Sequence, residues 1–170
     1  MKFIILNGPS GVGKTTASAS LLQLMPLAYH ARTESIRRNI GQLKKFHVEA
    51  TELAYEAHFR VCELFLSKGH DVIYDRTIRD EARIEGLLAL ARKYNAEVFE
   101  FFLLAPKDVV LGRVHERGFD EKSLLTPEIA ERFWHEIEEF KIKRKNAICI
   151  QTGERSPDEV VAEIKKHIGI

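Results

Sequence analysis

Residues Gly8 to Thr15 read GPSGVGKT and match the spacing G-x-x-x-x-G-K-[ST] at every position. Gly8, Gly11 and Gly13 allow backbone dihedrals that other residues avoid. Successive N–H groups around Pro9, Ser10 and Val12 can then turn inward and form an anion nest at a helix N-terminus. In such a cradle Lys14 would lie along the β- and γ-phosphates of a nucleotide. The Thr15 hydroxyl would bind Mg²⁺, and Thr16 would sit near the α-phosphate. The expected nucleotide is ATP, used as a phosphoryl donor.

Asp75 closes the apolar run DVIYD. An acid at the end of a buried strand is the second half of such a site, because it holds Mg²⁺ directly or through water. The guanine-reading sequence Asn-Lys-x-Asp is absent, which argues against a GTPase. Larger AAA+ and transport ATPases usually carry a glutamate beside the strand acid, and here Arg76 follows instead. Small phosphotransferases remain, in which a lid brings arginines to the phosphates. Arg113 and Arg117 lie four residues apart in LGRVHERG, on one side of a helix end, just before a polar segment. Their guanidinium forks suit charge developing on a transferring phosphoryl group.

With these residues in place the chain resembles the small P-loop kinases grouped around polynucleotide 5′-kinase, which take in chloramphenicol phosphotransferase-like and zeta-toxin-like kinases. The resemblance rests on GPSGVGKT, TESIRRNI, VIYDRTIRDEAR, LGRVHERG and the closing SPDEVV, and it covers nearly the whole chain. It implies an α/β P-loop sandwich, with a five-stranded parallel sheet, helices on both faces and a short lid at about 117–126. The P-loop strand is expected at the centre, with the strand ending at Asp75 beside it. The resemblance also implies an acid after the second strand that deprotonates the acceptor hydroxyl, and an arginine three residues later that holds the acceptor. Glu34 and Arg37 stand at those positions. Departures from the pattern are Ser35, where a second acid is common, Glu34, where Asp is usual, and Thr77, where Asn is frequent. The last two motivate an alternative, a nucleotide-dependent binding or switch protein without acceptor chemistry.

The elements that must position these residues can be read from periodicity. Short apolar strands are expected at Lys2–Leu6, Leu27–Ala31, Asp71–Asp75, Val98–Leu104 and Ala147–Gln151, with helices between them. That alternation gives a parallel sheet covered on both faces. The helix after the second strand is expected to run to about Lys44. The helix from His47 to Lys68 is expected to bury Val48, Leu53, Ala54, Ala57, Val61, Leu64 and Phe65. Ser156 and Glu159 form a capping-box pattern at the start of the last helix. One domain accounts for residues 1–170, and the polar segment 117–126 is its expected mobile part.

Composition narrows the partners. A net charge of +1 gives no global field for nucleic acid or membrane, so anion binding must be local. Arg32, Arg37, Arg38, Lys44 and Lys45 face only Glu34 in residues 32–45, which suits an anionic acceptor such as a nucleotide, a nucleic-acid end or a sugar phosphate. The N-terminal run is too short and polar for a signal peptide, so cytoplasm is the default compartment. Cys62 and Cys149 read as two buried small hydrophobes. The seven histidines show no metal-ligand spacing, although His30 and His115 fall near the expected cleft.

Overall fold

The structure, a computed structural model, describes residues 1–119 and 124–170. The strands are β1 (Lys2–Asn7), β2 (Tyr29–Ala31), β3 (Val72–Asp75), β4 (Glu97–Leu104) and β5 (Ile148–Gln151). The helices are α1 (Lys14–Leu24), α2 (Thr33–Arg37), α3 (His47–Ser67), α4 (Glu81–Lys93), α5 (Lys107–Arg117), α6 (Pro127–Lys143) and α7 (Pro157–Ile168). All strand pairs are parallel, and the sheet order is β2-β3-β1-β4-β5. β1 is therefore central with β3 beside it, as expected, and Leu6 is in register with Asp75.

Period-two alternation sorts the strand residues onto two faces. Phe3, Ile5, Tyr74 and Phe102 pack toward α3, α4 and α6. Ile4, Leu6, Ile73 and Leu103 pack toward α1, α5 and α7. With both faces covered, the strands are apolar nearly throughout, and polar chemistry is pushed to their C-terminal ends. In open parallel sheets that edge is where ligands bind.

Several expectations about elements change. α2 ends at Arg37, well short of Lys44, because Asn39 and Gly41 are poor helix formers and Gln42 takes a positive φ of 53°. Along α3 the buried residues are Ala50, Ala54, His58, Cys62 and Leu66, while Val48, Leu53 and Leu64 are exposed. Apolar periodicity missed this stripe because a histidine with satisfied ring nitrogens lies within it. Leu24 of α1 is exposed as well. Cys62 is buried, but Cys149 is exposed: it lies on the edge strand β5, which has a neighbouring strand on one side only. The capping box at Ser156 and Glu159 is present. The expected lid falls partly outside the described residues, since residues 120–123 are not described.

Candidate nucleotide and acceptor site

The turn between β1 and α1 is built from glycines in positions no other residue fills. Gly8, Gly11 and Gly13 have φ of 145°, 88° and 98°. A Cβ on Gly8 would stand 2.3 Å from the Leu103 carbonyl oxygen, so the loop is pressed onto β4. A Cβ on Gly13 would meet nothing within 4 Å, which leaves open space at the N-terminus of α1. That terminus has no side-chain cap, and its amides are available to an anion.

Asn7, buried at the end of β1, locks this turn to the loop after β3. Its Oδ1 accepts from the N–H groups of Gly8 and Ile78, both at 2.8 Å, and its Nδ2 donates to the Ile78 carbonyl at 2.9 Å. Sequence reasoning missed Asn7; its signal was a lone amide ending an apolar strand.

Lys14 folds back over the loop. Its Nζ donates to the carbonyls of Gly8 (2.9 Å) and Pro9 (2.8 Å) and to Thr77 Oγ1 (3.3 Å). Thr77 Oγ1 in turn donates to the Gly8 carbonyl at 2.8 Å. Burial lowers the Lys14 pKa to about 8; Asp75 opposes the shift, and the charges of Arg117 and Arg76 add to it. The Thr15 hydroxyl donates to Asp75 Oδ2 at 2.8 Å, and His30 Nε2 lies 3.4 Å from the same oxygen. Burial pushes the Asp75 carboxyl up, but contact with His30, the Lys14 charge and the Thr15 hydroxyl outweigh it, and the net shift is downward. Lys14, Thr15 and Asp75 thus form one connected unit.

Thr15 and Asp75 offer two hard oxygen donors side by side, and no group of three or more His, Cys, Asp or Glu that could hold a metal exists among the described residues. That donor set fits Mg²⁺, which takes few protein ligands and completes its shell with water and phosphate oxygens.

The two arginines grouped by the sequence part company. Arg113 donates to the carbonyls of Thr152 and Gly153, each at 3.1 Å, in the loop after β5. Thr152 Oγ1 donates to the Val12 carbonyl at 3.0 Å, so Arg113 braces this loop against the P-loop. Arg117 is exposed and makes no hydrogen bond or ion pair among the described residues, yet its charge is felt at Lys14. The C-terminal glycine of α5, Gly118, takes a φ of 74°.

After β2, Glu34 is held by two arginines of its own segment. It pairs with Arg37 through Oε2 and with Arg38 through Oε1, the latter at 3.0 Å. Arg37 Nε is buried without a hydrogen-bond partner. Further residues that sequence reasoning did not assign line a cavity of about 550 Å³ that reaches Thr77, among them Tyr55, Arg76, Arg79 and Arg83. Arg76 Nε donates to the Tyr55 hydroxyl at 2.9 Å, and the Arg83 guanidinium lies 3.7 Å from the centre of the Tyr55 ring. The arginines of DRTIRDEAR were their only signal, because nothing local says that α3 supplies a tyrosine to meet them.

A family profile described as AAA domain matches residues 3–139. A guanylate kinase of Desulfitobacterium hafniense (strain Y51) is 25% identical over 144 residues, which is 72% of this chain and 69% of that one. The Deinococcus radiodurans tunicamycin resistance protein superposes with a TM-score of 0.66 at 19% identity, covering 100% of this chain and 97% of the other. Deoxyadenosine kinase of M. mycoides, solved with the products dCMP and dCDP, superposes with a TM-score of 0.60 at 16% identity, covering 98% of each chain. At such identities these two structures share the fold. No helix among the described residues is long and apolar enough to cross a membrane.

Proposed function

The chain belongs to the AAA domain family, and from that membership we propose that it is a P-loop kinase that moves the γ-phosphoryl of ATP to a hydroxyl of a small-molecule, nucleoside or polynucleotide acceptor. Within the family we group it with the small kinases around polynucleotide 5′-kinase and chloramphenicol phosphotransferase. The observation that carries this reading is one convergence. The Lys14–Thr15–Asp75 unit, which feels the charge of Arg117, adjoins at Thr77 a cavity large enough for an acceptor. The 25% identical guanylate kinase supports the kinase reading at the level of phosphoryl transfer, and the deoxyadenosine kinase shares the fold.

Each residue has a proposed part. The glycine-rich turn, Gly8 to Thr16, binds the phosphates through its amides. Lys14 leaves the Gly8 and Pro9 carbonyls to meet phosphate oxygens. Thr15 and Asp75 would hold Mg²⁺, which when bound neutralises charge on the β- and γ-phosphates. The acceptor oxygen forms a bond to the γ-phosphorus, the bond from that phosphorus to the β,γ-bridging oxygen breaks, and ADP leaves. Arg117 stabilises charge on the transferring group. Arg113, on α5, supports the phosphate site by bracing the loop after β5. Glu34 receives the hydroxyl proton on turning from Arg37 and Arg38, and Arg37 offers its free Nε–H to the acceptor. In a loose transition state the nucleophile needs orientation more than a strong base, which tolerates a glutamate here.

A coupled ADP-release assay with ATP, Mg²⁺ and a panel of nucleosides, 5′-hydroxyl oligonucleotides, sugars and aryl alcohols tests the proposal. Acceptor-dependent release that disappears in Lys14→Ala supports it. ATP binding with no acceptor-dependent release would favour the nucleotide-dependent binding module instead.

A further inference from the structure

We propose, building on the phosphotransferase reading, that the groove between α3 and α4 receives the body of the acceptor, and that this body is an uncharged planar ring system. The groove has a volume of about 250 Å³ and is bounded by Tyr55 and Phe59 of α3 and by Gly86 and Leu87 of α4, over Tyr74 and Ile78. It shares Tyr55 and Arg83 with the larger cavity that reaches Thr77, whose hydroxyl lies 3.3 Å from Lys14 Nζ. Tyr55 and Arg83 thus form a wall common to both cavities, and a hydroxyl arm of a molecule seated in the groove would pass Tyr55 and Arg76 to reach the phosphate site.

The walls select the chemistry. Three aromatic rings and two aliphatic side chains present flat, apolar surface, which favours a ring buried by the hydrophobic effect and by ring–ring contact. The volume is below the roughly 300 Å³ at which pockets begin to enclose a whole drug-sized ligand, so it suits one ring system better than a nucleotide. The cations at its rim are already matched inside the protein. Arg83 pairs with Glu52 and with Asp80, the latter at 3.3 Å, and Arg60 pairs with Glu63 at 3.4 Å. An anion placed there would have to break these pairs, with the exposed Glu56 adding repulsion. This opposes the anionic acceptor suggested by the basic run at residues 32–45.

Gly86 adds a second observation. It lies inside α4, where glycine is a poor helix former, and a Cβ there would meet nothing within 4 Å. Gly86 leaves open the space beside the groove that a longer side chain at this position would fill.

The test uses the full chain with ATP and Mg²⁺, and thymidine, adenosine and an aryl propanediol as ring-bearing neutral probes. Glucose and a nucleoside 5′-monophosphate serve as contrasts. Binding is followed by calorimetry and transfer by ADP release, in wild type, Gly86→Ala, Gly86→Leu and Phe59→Ala. At least one neutral ring probe should bind and be phosphorylated. Its KM should rise at least tenfold in Gly86→Leu relative to Gly86→Ala, and several-fold in Phe59→Ala, which holds the test open if the leucine variant folds badly. A ring probe that binds wild type and fails to bind Gly86→Leu, without being phosphorylated in either, supports the groove and overturns the kinase reading. Equal KM values in all four proteins, a preferred acceptor that is a monophosphate or glucose, or no binding of any ring probe overturns the groove.

Discussion

The hydroxyl of Thr15 donates to Asp75 Oδ2 at 2.8 Å, joining the first turn of α1 to the end of β3. The two residues are sixty apart in sequence and meet because β1 and β3 are neighbours in register. The contact holds two oxygen donors where a phosphate-bound cation would need them. Asp75→Asn keeps an acceptor for Thr15 and removes the charge. ATP affinity in EDTA should stay level or tighten, because a negative charge near the phosphates is gone. The gain in affinity on adding Mg²⁺ should fall by about tenfold or more, the range seen when residues around a metal are altered. ATP titrations with and without Mg²⁺ check this, and an undiminished Mg²⁺ effect would remove Asp75 from the metal site.

The stability of the opposite end rests on another carboxylate. Arg144 grips Glu100 of β4 with both arms, Nε at 3.0 Å and Nη2 at 2.8 Å, and the two side chains are only 12% and 9% exposed. Breaking a buried pair by removing one partner strands the other charge. Glu100→Ala should therefore cost about 3 kcal/mol, near the low end for such pairs because Arg144 keeps Glu85. The double change Glu100→Leu with Arg144→Met should recover most of that loss in urea unfolding. A single variant within about 0.5 kcal/mol of wild type would show a pair worth no more than a surface one.

His58 supplies a pH dependence. The ring is fully buried; Nε2 faces the Arg32 carbonyl, which can only accept, so Nε2 carries the proton. Nδ1 then accepts from the Tyr29 hydroxyl at 2.9 Å. Burial is the main cause holding its pKa below the usual histidine value; the Arg32 carbonyl opposes the shift, and Arg76 and His30 reinforce it. The unfolded chain therefore binds a proton that the folded one refuses, and stability is lost as pH falls below about 6.5. His58→Gln can serve both partners without titrating. It should cost about 1 kcal/mol at neutral pH and flatten the acid limb of stability, read from urea midpoints between pH 5 and 7. A limb as steep as that of wild type would assign the loss to other groups.

The P-loop, its strand and Asp75 were legible in the sequence because each is a local pattern: glycines at fixed offsets, an apolar run, a terminal acid. Sheet order was legible only through the family resemblance, since nothing in the residues of β1 says which strands flank it. Tyr55 and Asn7 were not legible. Their partners, Arg76 and Ile78, lie 21 and 71 residues away, and one polar residue carries no periodicity. The α3 stripe misled for a related reason. His58 is core because Arg32 and Tyr29 satisfy it, and Leu53 is surface because the helix is rotated to let it.

Arg117 separates binding from chemistry. It closes α5 beside Gly118, it is exposed, and it lacks a hydrogen-bond or ion-pair partner among the described residues. Its charge nevertheless reaches Lys14. An arginine spent on holding structure would be paired, as Arg113 and Arg144 are. A cation near the phosphate cradle, without a partner among the described residues, suits an interaction made when charge develops. Such a contact lowers kcat and kcat/KM together and leaves ground-state affinity nearly intact. Arginines of this type in phosphoryl transfer are worth roughly a thousandfold or more. Arg117→Ala should thus bind ATP within about threefold of wild type, a shift small beside a lost transition-state contact. Its single-turnover transfer should be on the order of a hundredfold or more slower. Arg117→Lys should recover only part of the rate, because one ammonium cannot reproduce the fork. Removing this charge should also let the Lys14 ammonium hold its proton to higher pH. Weakened ATP affinity with an unchanged chemical step would make Arg117 a binding residue. No change in either would return it to the solvated surface of α5.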